Sequence, residues 1–480
     1  MIRYSLLVFA MLAIAIIAQK NWFRALCFML PLLAVLERPD MPRTMLEIPG
    51  LNPFNILLGI ILIAWFVQKR NDGSHWTASK SATRLFFAYM VVLAVSTARA
   101  FLDFGAFVEA QQFAGALELP SRGEFIMDNV INSAKWIIPG LLISVGAKTE
   151  ERVRLAAVGL LLTGGLLSLQ VISKMLPGLI GADDLASRAL RVLDRDLGYH
   201  RVNLAAITAS CAWAFLAAKP ILKTQFRGVI AAGGFCLCTI AMVATGGRMG
   251  MLAWIAAAMV FGFLRWRKIL FVVPILGALA VMVIPGLQER ILQGFGGGDE
   301  DNVSQYERRA EMGAIDESGR DRYSITSGRV VVWPIVFEKA MERPLIGHGR
   351  IAHQRTGITI RLKNELGITS FGHPHNAYLE LFIDTGLIGV LIVGAFYWVL
   401  FRNSVRAFRA PKNSIEYAIA SIVIAFFVVN LAASLGSQSF YPKQGATLFW
   451  IAIGLALAWF TKEKSPAPVV EPRTNARPAH

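Results

Sequence analysis

Histidine is the most informative residue type in this chain. Seven are present, and four of them, His348, His353, His373 and His375, fall close together. The last two stand in His373-Pro374-His375-Asn376, directly before an apolar run that opens at Ala377. Pro374 biases His373 toward an extended backbone, and Asn376 is suited to cap the helix that follows. His375 is thereby expected at a helix N-terminus on the membrane surface. The positive helix end lowers an imidazole pKa there, so a neutral ring can accept a proton near pH 7. That is general-base chemistry. A turn histidine bonded to backbone, or a metal ligand, fits the same residue.

The second constellation is cationic. Arg248 closes Thr245-Gly246-Gly247-Arg248 between two apolar runs, Arg329 closes Ser327-Gly328-Arg329, and Arg201 follows Gly198-Tyr199-His200 at the head of another run. An arginine this close to hydrocarbon is expensive unless it is paired or faces a wet cavity. Guanidinium forks grip phosphate in bidentate fashion and stay charged at any relevant pH. Three of them on one side of a membrane suit a lipid diphosphate. Taken singly, each is better accounted for by snorkelling to lipid headgroups than by function.

These residues need a scaffold, and composition defines it. The 480 residues are 55% hydrophobic and only 17% charged, with a formal net charge of +16. Soluble domains carry about a quarter charged residues, so a soluble enzyme, a disordered chain and a nucleic-acid-binding protein are all disfavoured. Apolar runs near 4–18, 22–36, 52–67, 85–101, 130–146, 155–173, 203–218, 229–246, 249–264, 269–286, 377–401, 417–434 and 446–460 predict an all-α polytopic membrane protein with 12 or 13 transmembrane helices. The first two runs are short. Several others are too long and evenly apolar for strands, which excludes a β-barrel. The first run lacks a small-residue cleavage site and reads as retained.

Sidedness follows from short basic loops. Lys69, Arg70, Lys80 and Arg84 mark one; Lys148, Arg152 and Arg154 a second; Lys219, Lys223 and Arg227 a third. Arg265, Arg267 and Lys268, then Arg402, Arg406, Arg409 and Lys412, mark two more. The positive-inside rule makes these loops cytoplasmic. Thirteen spans put the N-terminus outside, and twelve put it inside. Residues 1–286 are then the first ten or so helices, 287–376 one long, partly helical periplasmic loop, 377–460 the last three helices, and 461–480 a disordered cytoplasmic tail. Within the loop, a Gly-rich charged stretch from Phe295 to Asp321 precedes a folded part from Thr326 to Asn376. Cys27, Cys211, Cys236 and Cys238 all lie in apolar stretches and read as packing residues, with neither a disulfide framework nor a zinc site.

The chain resembles the O-antigen ligase and Wzy-type polymerase superfamily of bacterial envelope proteins. The resemblance rests on Thr245-Gly246-Gly247-Arg248, on Ser327-Gly328-Arg329 followed by Trp333, and on Pro344-Leu345-Ile346-Gly347-His348-Gly349. It continues through His375-Asn376-Ala377-Tyr378-Leu379 and Gly386-Leu387-Ile388-Gly389. It spans roughly 198–400. Gly247 stands where a serine is common before the arginine, and the acidic insertion 299–321 is longer than the family leads one to expect.

The resemblance implies a metal-independent glycosyltransferase of the inner membrane, without cofactor, acting on the periplasmic face. Its partners would be an undecaprenyl-diphosphate-linked glycan donor, a lipid A-core or other glycan or protein acceptor, and membrane lipids, with no nucleic acid. His375 matches the family histidine proposed as general base. Arg248 and Arg329 match arginines thought to hold the diphosphate. Arg201 fits a third such position, with Arg195 a nearby candidate, and His373 and Asn376 flank the base as substrate-binding candidates. O-antigen ligase is the leading expectation. A Wzy-type O-antigen or exopolysaccharide polymerase and a protein O-glycan ligase need the same donor site. A lipid-linked glycan transporter is the rival from another class, and it would predict inverted repeats and broken helices at mid-membrane.

Overall fold

The computed structural model describes residues 2–36, 38–42, 45, 50–180, 185–283, 326, 328–368, 371–436 and 440–461. In chain order the first helices are α1 (Ile2–Lys20), α2 (Trp22–Leu36), α3 (Pro53–Gln68), α4 (Lys80–Leu102), α5 (Phe104–Phe113), α6 (Arg122–Ile126) and α7 (Asn132–Gly146). Next come α8 (Glu150–Ile180), α9 (Leu185–Leu197), α10 (Arg201–Ala217), α11 (Arg227–Ala244), α12 (Arg248–Leu264) and α13 (Ile269–Val283). The last are α14 (Arg329–Met341), α15 (Ala352–Arg355), α16 (Ile358–Leu366), α17 (Ala377–Ala407), α18 (Ile415–Ala433) and α19 (Thr447–Phe460). Among the described residues no strand exceeds an isolated bridge. The expectation of an all-α membrane protein holds.

Each of the thirteen apolar runs coincides with a helix, including the two short ones that open the chain. Among the described residues five helices, α4, α8, α11, α17 and α18, are long and apolar enough to cross a membrane on their own, and seven shorter apolar helices accompany them. The centre of the bundle is α18, buried at nearly every position, with α19 beside it. Large apolar side chains such as Phe9, Phe66, Phe87, Phe263, Phe271 and Trp398 point outward, each more than half exposed. In water such a belt would be a liability; around a multi-pass bundle it is the lipid-facing surface. Three cysteines are buried, but Cys236 is exposed on the outside of α11 rather than packed.

Contacts between loops sort the helix ends into two faces. On one, Arg152 pairs with Asp72 at 3.2 Å and Lys148 Nζ donates to Thr77 Oγ1 at 2.6 Å. Arg154 donates to the carbonyls of Pro220 and Ile221, and Arg265 to those of Phe408 and Ala410. These are the basic loops that the charge pattern placed together. At the other end Tyr4 Oη donates to the Asp40 carbonyl at 3.0 Å, so α1 and α2 run antiparallel. Here also begin α10, α12, α14 and α17, and we call this end the site face.

One element departs from the expected continuous helix. α17 is broken at Gly386, whose φ of 65° and ψ of −171° are not helical. The segment Pro344–Gly349 inserts at the break. His348 N–H donates to the Ile383 carbonyl and Gly349 N–H to that of Asp384, both at 2.8 Å. Leu387 N–H and Ile388 N–H donate in return to the carbonyls of Pro344 and Leu345, at 2.8 and 3.1 Å. Backbone groups freed inside a span need internal partners, and this segment supplies them. A Cβ on Gly347 would lie 2.5 Å from the Asp384 carbonyl carbon, and one on Gly386 would lie 2.3 Å from that of Leu345. Two of the motifs that carried the resemblance are therefore the halves of one packing joint. The Gly-rich stretch before residue 326, Ser327 and the tail beyond Thr461 lie outside the described residues.

Candidate active site

The site is built on helix beginnings. Arg201 is the first residue of α10, Arg248 of α12 and Arg329 of α14. Helix N-termini carry unpaired N–H groups and a partial positive charge, so each arginine adds to a field its own helix already makes. Gly328 permits the turn into α14 with a φ of 78°. A Cβ on Gly247 would sit 4.0 Å from the Arg201 carbonyl, which sets the starts of α10 and α12 side by side. A Cβ on Gly436 would sit 2.4 Å from Met249 Cγ and 3.4 Å from Arg329 Nη2, which brings Arg329 against the start of α12.

Arg329 donates from Nη1 to the Thr326 carbonyl at 3.1 Å, while its buried Nε has no acceptor among the described residues. Burial and the neighbouring Arg248 charge both push its pKa down from the usual arginine value. Two cations are held close together in a partly desolvated place. That is costly without an anion, and an anion is what helix N-termini bind.

His375 lies beside them. Asn376 caps α17, its side-chain oxygen accepting from Tyr378 N–H at 3.0 Å and Leu379 N–H at 3.1 Å. Its first demonstrable role is thus to anchor the helix. Trp333 Nε1 donates to the Pro374 carbonyl at 2.9 Å, tying this turn to α14. His375 has a φ of 51°, a left-handed backbone that a non-glycine residue adopts at a cost. Its N–H donates to Nδ1 of His373 at 3.1 Å, and the ring centroids are 3.9 Å apart. Phe371 presents its edge to the His375 ring at 5.3 Å. Burial, then the Arg329 charge, pushes the His375 pKa down to about 4. The imidazole is consequently neutral at pH 7, with a lone pair free to take a proton. His373 is pushed lower still, by burial and by His375.

The structure therefore brings His375, His373, Asn376, Arg329 and Arg248 together on one face, with Arg201 at the adjacent helix start. Sequence reasoning passed over His200. It caps α10 through Nδ1, which accepts from Val202 N–H at 3.3 Å, and its charge bears on both His373 and His375. Its signal was adjacency to Arg201. It also missed Lys443, whose charge acts on His373 and which a sequence shows only as one lysine in a short turn.

Two hollows flank the histidine turn. An apolar groove of about 730 Å³ runs from Arg329 past Trp333, Phe337, Leu379 and Phe382. On the other side a polar cavity of about 370 Å³ is lined by His373, His353, Glu380 and Lys443, among others.

Together these features define a multi-pass helical membrane protein with a cationic, histidine-bearing site at one face. Residues 233–394 match the family model described as O-Antigen ligase. The chain is also 28% identical, over 157 residues, to the exopolysaccharide production protein ExoQ of Rhizobium meliloti (strain 1021). That alignment covers 28% of this chain and 35% of the relative, so the chain spans about a third of the length of the curated relative it matches. The family read from the motifs is borne out over the region holding Arg248, Arg329 and His375.

Proposed function

We propose that this protein is a metal-independent glycosyltransferase of a bacterial inner membrane. It moves a glycan from undecaprenyl diphosphate to an acceptor hydroxyl on the periplasmic face. The observation that carries this reading is the convergence of Arg248, Arg329 and the adjacent Arg201, each the first residue of a helix, with His375, next to an apolar groove that Arg329 and Asn376 line. The groove suits the polyprenyl chain, which leaves the diphosphate at Arg329.

In this reading the acceptor oxygen attacks the anomeric carbon of the donor glycan. The bond from that carbon to the diphosphate oxygen breaks, and its electron pair leaves with the diphosphate. Arg248 and Arg329 stand where that negative charge grows, which is where preorganised positive charge lowers a barrier. His375 takes the proton from the attacking hydroxyl. Diphosphate in place offsets the arginine charge on His375, raising its pKa and making it a stronger base when it is needed. Residues 287–376 are then periplasmic, and the basic loops cytoplasmic.

O-antigen ligation accords with the description of the matched family, and lipid A-core would then be the acceptor. Polymerisation is favoured by a separate observation, the similarity to a protein named for exopolysaccharide production. Reconstitution with a labelled undecaprenyl-diphosphate glycan, offered lipid A-core and a second lipid-linked repeat in turn, tests both. Label moving to lipid A-core supports ligation, and label growing on the repeat supports polymerisation. Label crossing the bilayer with no new glycosidic bond would make the protein a transporter and end the proposal.

A further inference from the structure

The polar cavity behind the histidine turn has no role in the chemistry above. We infer that it is a carbohydrate subsite, recognising a neutral or amino sugar of the glycan substrates; the inference rests on the glycan-transfer reading. Its walls combine the side-chain amides of Gln111, Asn129, Asn132 and Gln444 with the rings of Phe107 and Trp136. Gln111 Nε2 donates to Gln354 Oε1, Asn132 Nδ2 to Asp128 Oδ1 and Asn129 Nδ2 to the Phe125 carbonyl, while Asn129 Oδ1 accepts from Arg350. Amides both donate and accept, as sugar hydroxyls do, so their remaining positions suit a sugar, and flat apolar rings suit the C–H face of a pyranose. A few convergent polar groups on an apolar wall is the usual make-up of a small-ligand site, and 370 Å³ falls within the usual size range.

Three lining residues hold buried polar atoms that lack hydrogen-bond partners among the described residues: His353 Nδ1, Glu380 Oε2 and Gln444 Nε2. Buried polar atoms are nearly always satisfied, and three of them on side chains that line one hollow point to a ligand with several hydroxyls. His353 is only 3% exposed, and its Nε2 is engaged with the Phe371 carbonyl at 3.0 Å, so it is held in place.

Charge separates this cavity from the arginine site. Asp128, Glu380 and Asp384 line it against Arg350 and Lys443, so it is no place for a diphosphate. A wider cleft of about 930 Å³ shares Asn132 and Gln444 with it, which gives a longer saccharide room to continue. His373 lines the cavity while His375 lies against it on the arginine side, so a sugar seated here lies next to the base.

The sugar could belong to the acceptor or to the first residues of the donor glycan, and the experiment separates them. Gln444→Leu removes the unpartnered Nε2, and Glu380→Gln keeps the shape of its side chain while taking away the charge that faces Lys443; an unchanged thermal midpoint shows that folding is spared. In reconstituted full-length protein we expect at least a tenfold rise in KM for one substrate. A rise confined to the acceptor assigns the cavity to it, and one confined to the donor assigns it to the donor glycan. KM values within twofold of wild type for both substrates would overturn the inference. Saturation-transfer NMR on wild-type protein with chitobiose and cellobiose reads binding without turnover. Signals that persist under saturating inorganic pyrophosphate and weaken in both variants support the subsite even where no glycan is transferred, in which case only the transferase reading falls.

Discussion

The backbone N–H of His375 donates to Nδ1 of His373 at 3.1 Å, so the two histidines of one turn hold different tasks. His373 spends its Nδ1 lone pair on fixing the turn, which leaves its proton on Nε2. His375, held left-handed between Pro374 and the α17 cap, keeps its ring for chemistry. His375→Ala is expected to lower the transfer rate by about 10²–10⁴-fold, the usual contribution of a general base, with membrane insertion unchanged. In vitro transfer at the wild-type rate would exclude the base role.

The pH profile is a second, independent reading of the same pair of charges. A base works only when deprotonated, so kcat/KM should fall as pH drops through the free-protein value of about 4. That limb belongs to the free enzyme and the limb in kcat to the substrate complex. Bound diphosphate offsets Arg329, so the acid limb in kcat should lie at higher pH than the limb in kcat/KM. Arg329→Gln removes a charge that lowers the His375 pKa and should move the kcat/KM limb upward. A limb that stays in place in this variant would show that Arg329 does not act on the base.

Arg248→Ala and Arg329→Ala are each expected to weaken use of the lipid-diphosphate donor by about ten- to a hundredfold, the worth of one charge-assisted hydrogen bond. Lys at either position restores the charge but not the fork, so rescue should be partial. Titration with the labelled donor lipid at fixed acceptor measures it. Donor affinity unchanged in both alanine variants would remove the diphosphate from this site.

The helices could be read from the sequence because an apolar run of membrane-spanning length has few ways to satisfy its backbone in lipid. The residues for chemistry stood out by type: arginine beside hydrocarbon and histidine before a capped helix are both expensive or unusual. Their proximity could not be read, since Arg248, Arg329 and His375 lie on three segments joined only by packing. Gly386 and Pro344–Gly349 stood out as motifs, but that they meet at a break in α17 could not be read, because the two segments are distant in sequence. The amides of the polar cavity carry no pattern at all: Asn129 and Asn132 precede or begin α7, Gln354 is in α15 and Gln444 precedes α19.

The joint between Gly347 and Gly386 should be intolerant of a single methyl group. Each glycine has a positive φ, 61° and 65°, and each would drive a Cβ into facing backbone. Overpacking and the forced conformation together should cost Gly347→Ala or Gly386→Ala about 3 kcal/mol. Gly394, in the same helix, has nothing within 4 Å of an added Cβ, so Gly394→Ala should be neutral. Thermal midpoints of the detergent-solubilised proteins decide it; equal midpoints for Gly386→Ala and Gly394→Ala would deny the joint a structural role.

Acid should loosen the site face before it reaches the bundle. His353 is buried with Nε2 donating to the Phe371 carbonyl, and burial pushes its pKa down to about 4. An unfolded histidine titrates near 6.5. Between those values the unfolded chain holds a proton that the folded one refuses, so stability rises with pH across this window. The contribution is complete above about pH 6.5 and is lost progressively toward pH 4, with His375 adding in the same direction. Hydrogen exchange of the segment from Ala352 to Asn376 should therefore quicken, beyond the intrinsic pH effect, as pH falls from 6.5 to 4. His353→Gln keeps a donor for Phe371 without a titrating ring and should flatten that response. Protection that is independent of pH in the wild-type protein would mean that His353 is not held neutral by its surroundings.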